Sequence, residues 1–137
     1  MPFWKRKPKE PGPPAHGPDF SHVDSREKAL AMVEEGTLES LYLMPKAFGG
    51  TDDPHNVVYV PVGVATIKES TDVSIIAPLI QDGSVQYYSA TPEYRGRSFV
   101  PMALQIKATD PKSFQTEIAI WGEALDREKQ LRKEDGG

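Results

Sequence analysis

The sequence contains no cysteine and no long apolar run. The missing cysteine excludes a disulfide framework and a thiolate metal site, and it fits a cytoplasmic protein. No apolar run approaches the roughly 20 residues of a membrane span. The charged residues 1–9 are not followed by the apolar region of a secretory signal. These absences predict a cytoplasmic protein that does not cross a membrane.

Strong charge of one sign and recognisable catalytic motifs are also missing. The formal net charge is -4, and no broad basic face typical of a nucleic-acid binder is apparent. There is no phosphate-binding loop, no dinucleotide-binding glycine motif after a strand, and no nucleophile elbow. His16 and His22 precede the expected fold, which leaves His55 alone. We therefore predict a protein that is not an enzyme, binds no cofactor or metal, and does not bind nucleic acid.

Proline is plentiful but clustered, and the clustering suggests a division of the chain. Five of the thirteen prolines fall in the first fourteen residues. We predict a disordered, basic, proline-rich leader over residues 1–23, a folded domain over 24–121, and a charged tail over 122–137 that is frayed helix or disorder. Phe3 and Trp4 beside lysines allow a weak membrane-surface anchor, but a solvated arm is favoured because one short patch binds membranes only marginally.

Residues 85–121 carry the clearest strand signals. Successive side chains of a strand point to opposite faces, so alternating apolar residues indicate one buried face. Two runs alternate in this way: Met102, Leu104, Ile106 and Ala108, then Phe114, Thr116, Ile118 and Ile120. The short segment 110–112 between them predicts a hairpin. Trp121 falls on the polar face, where packing at the sheet edge is favoured over contact with a partner.

Weaker strand signals cover residues 37–45, 57–60 and 85–90. A further strand is predicted to begin at Ser98, with Pro101 at an edge or a bulge because proline cannot donate to the ladder.

Two helices are predicted. Asp24 as N-cap, with Glu27 three residues later, has the spacing of a capping box. The second helix covers residues 62–80 and is interrupted near Pro78; a hairpin turning at residues 82–83 is the alternative. Its apolar stripe is Val64, Ile67, Thr71 and Ile75. The whole pattern predicts an α+β fold: a single small domain with a mainly antiparallel sheet of four to five strands and two helices packed on it.

Two loops carry the candidate functional residues. In residues 48–56, Asp52, Asp53 and His55 are competent metal ligands, but the same residue types build turns and no second ligand cluster completes a site. We therefore predict a turn that also contacts a partner.

The second loop contains Tyr94, Arg95 and Arg97. Tyrosine and arginine are enriched at binding hot spots, and loops on a rigid sheet often carry recognition. An ordinary turn with solvated arginines is the alternative. The predicted partner-binding residues are therefore Tyr94, Arg95, Arg97, Asp52, Asp53 and His55.

Three stretches, FGGTDDPHNVVYVPVGVA, YSATPEYRGRSFVP and FQTEIAIW, resemble a group of small, uncharacterised bacterial cytosolic proteins. Some members sit beside polymorphic or contact-dependent toxins, as immunity-type proteins do. The resemblance implies an α+β protein that binds another protein, such as a toxin, without catalytic residues. The mild acidity suits a basic partner, because complementary charge speeds encounter.

Two alternatives remain open. One is an enzyme or accessory domain that binds a small ligand or metal through Asp52, Asp53, His55 and Tyr94. The other is a homo-oligomeric structural protein, in the simplest case a homodimer paired through an exposed edge strand after Pro101.

Overall fold

A computed structural model describes residues 18–128 of the chain. Most of the predicted leader, residues 1–17, and most of the predicted tail, residues 129–137, lie outside this range. The elements follow one another as α1 (Arg26–Glu35), β1 (Leu38–Tyr42), β2 (Val57–Pro61), α2 (Val64–Thr71), a π-helical turn (Asp72–Ile76), α3 (Ala77–Gln81), β3 (Tyr87–Glu93), β4 (Ala103–Thr109) and β5 (Ser113–Ala119).

The predicted mixture of helices and antiparallel strands is confirmed, but the single sheet is not. Within the described residues the strands form two sheets, an antiparallel pair β1-β2 and a three-stranded antiparallel sheet in the order β3-β4-β5. The long helical segment α2–α3 lies between the two sheets along the chain. None of the described helices has the length and apolarity needed to cross a membrane.

The β4-β5 hairpin matches the alternation in the sequence. β4 and β5 pair from Ala103 opposite Ala119 to Thr109 opposite Ser113, which leaves residues 110–112 as the connection. The predicted inward residues of β4 are buried, and Ala103 on its other face is buried as well. Further along that other face Gln105 is only half-buried and Lys107 is exposed, so β4, the central strand, has one buried face and one that is mostly open.

Three predicted boundaries are wrong by a few residues. The N-cap of α1 is Ser25 rather than Asp24, because the Ser25 hydroxyl accepts the N–H of Lys28 at 3.1 Å. Asp24 is one residue too early and instead pairs with the Lys28 ammonium at 2.8 Å. The strand predicted at 85–90 lies at Tyr87–Glu93.

No strand begins at Ser98. Residues 98–102 are irregular, and β4 starts at Ala103. Some of their polar groups form hydrogen bonds with side chains or loop carbonyls instead of with a neighbouring strand. The Ser98 hydroxyl donates to the Phe20 carbonyl at 2.8 Å, and the Trp121 indole donates to the Val100 carbonyl at 2.9 Å. Trp121, predicted on the polar face, is instead fully buried in the core, where its ring meets that of Phe20 edge-on.

The core extends past both ends of the range 24–121. Phe20 and Val23 are buried on the N-terminal side, and Ala124 is buried within the helical residues 123–128. Residues just outside the predicted domain boundaries therefore contribute to the fold.

The helix predicted over 62–80 is present, and the hairpin alternative is wrong. Its interruption lies just before Pro78, where the Ala77 N–H donates five residues back to the Asp72 carbonyl. Pro78 has no N–H, and its ring would press on the carbonyl four residues earlier in a regular α-helix. Widening the preceding turn relieves that contact, which explains a π turn at this position.

The face of this helix that packs inward was predicted incorrectly. Ile67 and Ile75 of the predicted stripe are 54% and 43% exposed, whereas Lys68, Asp72 and Ile76 are buried. A π turn adds one residue to the helix and rotates everything after it, so a 3.6-residue period cannot be extended through it. The buried face also contains the ion pair of Lys68 and Asp72, which cannot be found by looking for apolar residues alone.

A polar cluster fastens the C-terminal helical residues to the open face of the larger sheet. The Arg127 guanidinium donates to both carboxylate oxygens of Glu93 on β3, at 2.9 and 3.1 Å, and to Glu117 on β5 at 3.3 Å. Gln105 on β4 lies between them and donates to Glu117 at 2.8 Å. The hydrogen bond from Arg127 holds the pKa of Glu93 below its ordinary value of 4.5.

This cluster predicts a small acid-dependent contribution to stability. Because the pKa of Glu93 is lowered by folding, the contribution is present above pH 4.5 and is lost as the pH falls through the folded-state pKa. We expect Arg127→Gln to raise the pKa of Glu93 and to lower the free energy of unfolding at pH 7 by about 0.5 kcal/mol, since these groups are partly solvated. At pH 2 the variant and the parent should unfold alike.

The measurements are an NMR titration of the Glu93 carboxyl carbon and urea unfolding at both pH values. Lys107→Gln is the control, because Lys107 is an exposed cation on the same face of β4 and forms no ion pair with the described residues. An equal effect of Arg127→Gln at both pH values would contradict the assignment.

Candidate functional site

The concave surfaces on the described part of the molecule include a groove beside Lys68, a crevice beside Tyr94, and a further surface at residues 94 and 96–99 that adjoins the crevice. The first, here called the Lys68 groove, has a volume of about 370 Å³ and is lined by Ser40, Leu41, Tyr42, Pro45, Lys46, Ala47, Ala65, Lys68, Glu69, Asp72 and Val73. The second, here called the Tyr94 crevice, has a volume of about 160 Å³ and is lined by Arg26, Pro54, Val57, Val58, Tyr59, Tyr94 and Phe99. The groove and the crevice share no lining residue.

The floor of the Lys68 groove is a closed cluster of three polar side chains. The Lys68 ammonium donates to Asp72 at 2.6 Å and to the Tyr88 hydroxyl at 2.8 Å, and that hydroxyl donates to the other oxygen of Asp72 at 2.7 Å. The side chains of Lys68 and Asp72 are only 3% and 5% exposed. Their opposite charges cancel, so the buried cluster is neutral overall.

Burial shifts the pKa values of Tyr88 and Lys68 in this cluster. Burial raises the pKa of Tyr88 far above its ordinary value, with the hydrogen bond to Asp72 acting in the same direction. Burial lowers the pKa of Lys68, and its hydrogen bond to Asp72 opposes that change. The raised pKa keeps the Tyr88 phenol protonated, so its hydroxyl donates to Asp72.

Asp52 does not line the Lys68 groove, but it contacts two residues that do, Tyr42 and Lys46. It accepts a short hydrogen bond from the Tyr42 hydroxyl and pairs with Lys46 at 3.3 Å. The bond from Tyr42 and then the one from Lys46 hold the pKa of Asp52 below its ordinary value. Lys46 also lies 5.0 Å from the centre of the Tyr42 ring. Asp52 is thus engaged locally rather than offered outward as an isolated charge.

Asp53 and His55 form the predicted turn. The Asp53 carboxylate accepts the backbone N–H of His55 at 2.8 Å and begins the 3₁₀ turn Pro54–Asn56. The His55 ring is fully exposed, 3.1 Å from Asp53. No group of three or more histidine, aspartate or glutamate side chains within residues 18–128 is arranged to hold a metal ion.

Asn56 fixes the shape of this loop, and sequence reasoning missed it. Its side chain accepts the Met44 N–H at 2.7 Å and donates to the carbonyls of Met44 and Thr51 at 3.0 and 2.9 Å. Gly50 packs so closely that a Cβ there would lie 1.8 Å from the Met44 oxygen. The loop between β1 and β2 is therefore a rigid support.

The second predicted loop presents two aromatic rings. Tyr94 and Phe99 are 45% and 40% exposed, although both are large and apolar. The loop is anchored beneath them, since the Phe99 N–H donates to the Val23 carbonyl at 2.7 Å. Pro54 of the first loop and Tyr94 of the second line the same crevice.

The two predicted arginines have different surroundings. The Arg95 guanidinium lies 5.9 Å from the centre of the Trp121 ring and 3.4 Å from Glu123, so it supports the loop. Arg97 is exposed and lines the surface next to the crevice, and it forms no ion pair within the described residues.

The six predicted residues therefore do not form one site. Tyr94 and Arg97 share a surface, Asp52 contacts Tyr42 and Lys46 next to the groove, and His55 points to solvent. Sequence reasoning missed Lys68, Asp72, Tyr88 and Phe99. The four-residue spacing of Lys68 and Asp72 on a predicted helix indicates an ion pair, but only the tertiary structure brings Tyr88 to it.

The buried cluster makes a prediction about stability. Asp72→Ala leaves the Lys68 ammonium buried without its carboxylate and should lower the free energy of unfolding by about 3–5 kcal/mol. The double variant Lys68→Met with Asp72→Leu removes both charges and should cost about 2 kcal/mol or less. Urea unfolding measures both. The exposed Glu69→Ala on the same helix is the control, and a double variant as unstable as Asp72→Ala would show that the ion pair is not the cause.

Comparison of the chain with protein-family models, with curated proteins and with solved structures gives no match. The resemblance to immunity-type proteins stays a prediction, and the proposals below follow from the geometry of the two surfaces.

Proposed function

We propose that this chain is a non-catalytic protein-binding module whose contact surface is centred on the Tyr94 crevice. The observation that carries the proposal is the exposure of Tyr94 and Phe99 on an anchored loop beside the exposed Arg97. Aromatic residues and arginine dominate binding hot spots, particularly where a pocket can exclude water.

The rigidity of this surface favours binding. Ordering a mobile loop on association is costly, and a surface fixed in advance avoids that cost. Here the loop is held by the hydrogen bonds of Ser98 and Phe99 to residues 20–23 and by Arg95 stacked on Trp121. The rings are exposed even though their backbone is fixed, which is the arrangement of a contact surface rather than of a loose turn.

The chemistry of the crevice suggests the partner. Its lining mixes apolar side chains, among them Pro54, Val57 and Phe99, with the polar side chains of Arg26 and Tyr94, so it suits a partner side chain that is itself partly polar. Arg97 beside it would donate hydrogen bonds to a carboxylate of the partner. The net charge of -4 still favours the approach of a partner that is basic elsewhere. A toxin neutralised by this protein would fit that description.

The first test uses crosslinking from a chosen residue to identify the protein that contacts this surface. A photo-crosslinking residue is placed at Tyr94, and separately at Tyr87, in cells of the source organism, and the adducts are identified by mass spectrometry. Tyr87 is the matched control because it is a tyrosine that is 63% exposed and does not line the crevice. A partner of this surface should be captured from position 94 and not from position 87.

The second test measures affinity for that partner by titration calorimetry. Tyr94→Ala and Phe99→Ala should each weaken binding by at least about 1 kcal/mol, because they truncate the proposed hot spot. Tyr87→Ala should leave the affinity unchanged. Unchanged affinity in both Tyr94→Ala and Phe99→Ala would remove this surface from the interface.

A further inference from the structure

The Lys68 ammonium has an unused hydrogen-bond donor. A lysine ammonium carries three N–H groups. Two of them are taken by Asp72 and Tyr88, and the third meets no acceptor among the described residues. The side chain is 97% shielded from solvent, since only 3% of it is exposed. A buried donor without an acceptor is costly, so this N–H calls for an acceptor supplied from the groove.

The space next to this donor suits a small molecule. Lys68 and Asp72 line the groove, whose volume of about 370 Å³ falls in the range of small-ligand sites. The walls that surround the two charges are mainly apolar: Leu41, Pro45, Ala47, Ala65 and Val73. A few converging polar groups in an apolar recess is the usual composition of such sites.

The charges select a neutral ligand. The carboxylate of Asp72 already neutralises Lys68, at 2.6 Å. An anion bound to the third N–H would lie close to Asp72 and be repelled by it, and the exposed Glu69 also lines the groove. The cation at the rim, Lys46, is paired with Asp52. An uncharged acceptor such as a carbonyl oxygen avoids this repulsion.

We propose that the Lys68 groove binds a small, neutral, largely apolar molecule whose carbonyl oxygen accepts the third N–H of Lys68. The proposal is independent of the partner surface, because the groove and the Tyr94 crevice have no lining residue in common. Either one can fail without the other.

Three small aromatic probes separate the effects of a hydrogen-bond acceptor, of apolar contact and of negative charge on binding. Acetophenone is neutral and has a carbonyl, toluene has no acceptor, and benzoate is an anion. Each is titrated into the full-length, ¹⁵N-labelled protein while the side-chain Nζ–H resonances of the lysines are followed by NMR. Acetophenone should shift the Lys68 signal saturably and bind at least about tenfold more tightly than toluene or benzoate, because hydrogen bonds to a charged donor are among the stronger ones.

Variants locate the binding. Ala47→Trp should fill the groove without touching the polar cluster and weaken acetophenone binding at least about tenfold, because Ala47 lines the groove. Ala31→Trp, which changes an exposed alanine on α1, should leave acetophenone binding unchanged. In the double variant Lys68→Met with Asp72→Leu, the preference for acetophenone over toluene should disappear.

Three results would overturn the proposal. Equal binding of toluene and acetophenone would show that the donor plays no part. Tightest binding of benzoate would show a site for anions. Absence of a saturable shift with any probe would show that water alone occupies the groove.

Discussion

The structure depends on one buried interaction, the contact of Lys68 and Asp72 on the long helical segment with Tyr88 on β3. The helix packs on β1 and β2, whereas Tyr88 belongs to the three-stranded sheet. Since the strands form two separate sheets, the cluster joins the halves of the molecule with directional bonds. Apolar packing alone would fix the separation of the halves but not their register. The Phe48 ring, edge-on to Tyr88 at 5.2 Å, ties the first loop to the same point.

The cluster also explains why the helix exposes so many apolar residues. With Lys68 and Asp72 turned inward, the neighbouring Ile67 faces outward. The π turn before Pro78 rotates the residues that follow, and Val73, Ile75 and Ile80 are exposed as well. The exposed isoleucines are therefore a consequence of how the ion pair is buried. They need not by themselves mark a partner surface, in contrast to Tyr94 and Phe99, whose loop has no such constraint.

Local patterns in the sequence were sufficient for some of the local structure, the β4-β5 hairpin above all. The alternation around Leu104 and Ile118 predicts the β4-β5 hairpin because each strand needs only its own period and a short turn. Tertiary features were not predictable in this way. The π turn relieves the clash of the Pro78 ring with the preceding turn. The inward face of the helix is set by the cluster of Lys68, Asp72 and Tyr88, and Tyr88 lies twenty residues from Lys68 along the chain. The six predicted partner-binding residues could not be assigned to separate surfaces from the sequence, because only the fold shows that Asp52 and Tyr94 face different surfaces.

The loop between β1 and β2 relates the two surfaces to each other. Asp52 fastens one side of it to the Lys68 groove through Tyr42 and Lys46, and Pro54 forms a wall of the Tyr94 crevice on the other. Between them the three hydrogen bonds of the Asn56 side chain hold the backbone. A loop anchored at this many points cannot move at one surface without strain at the other. The shape of both surfaces is thus set by one rigid segment, and its turn residues, aspartate, glycine and asparagine, act as scaffolding for the contacts that Tyr94, Phe99 and Lys68 offer.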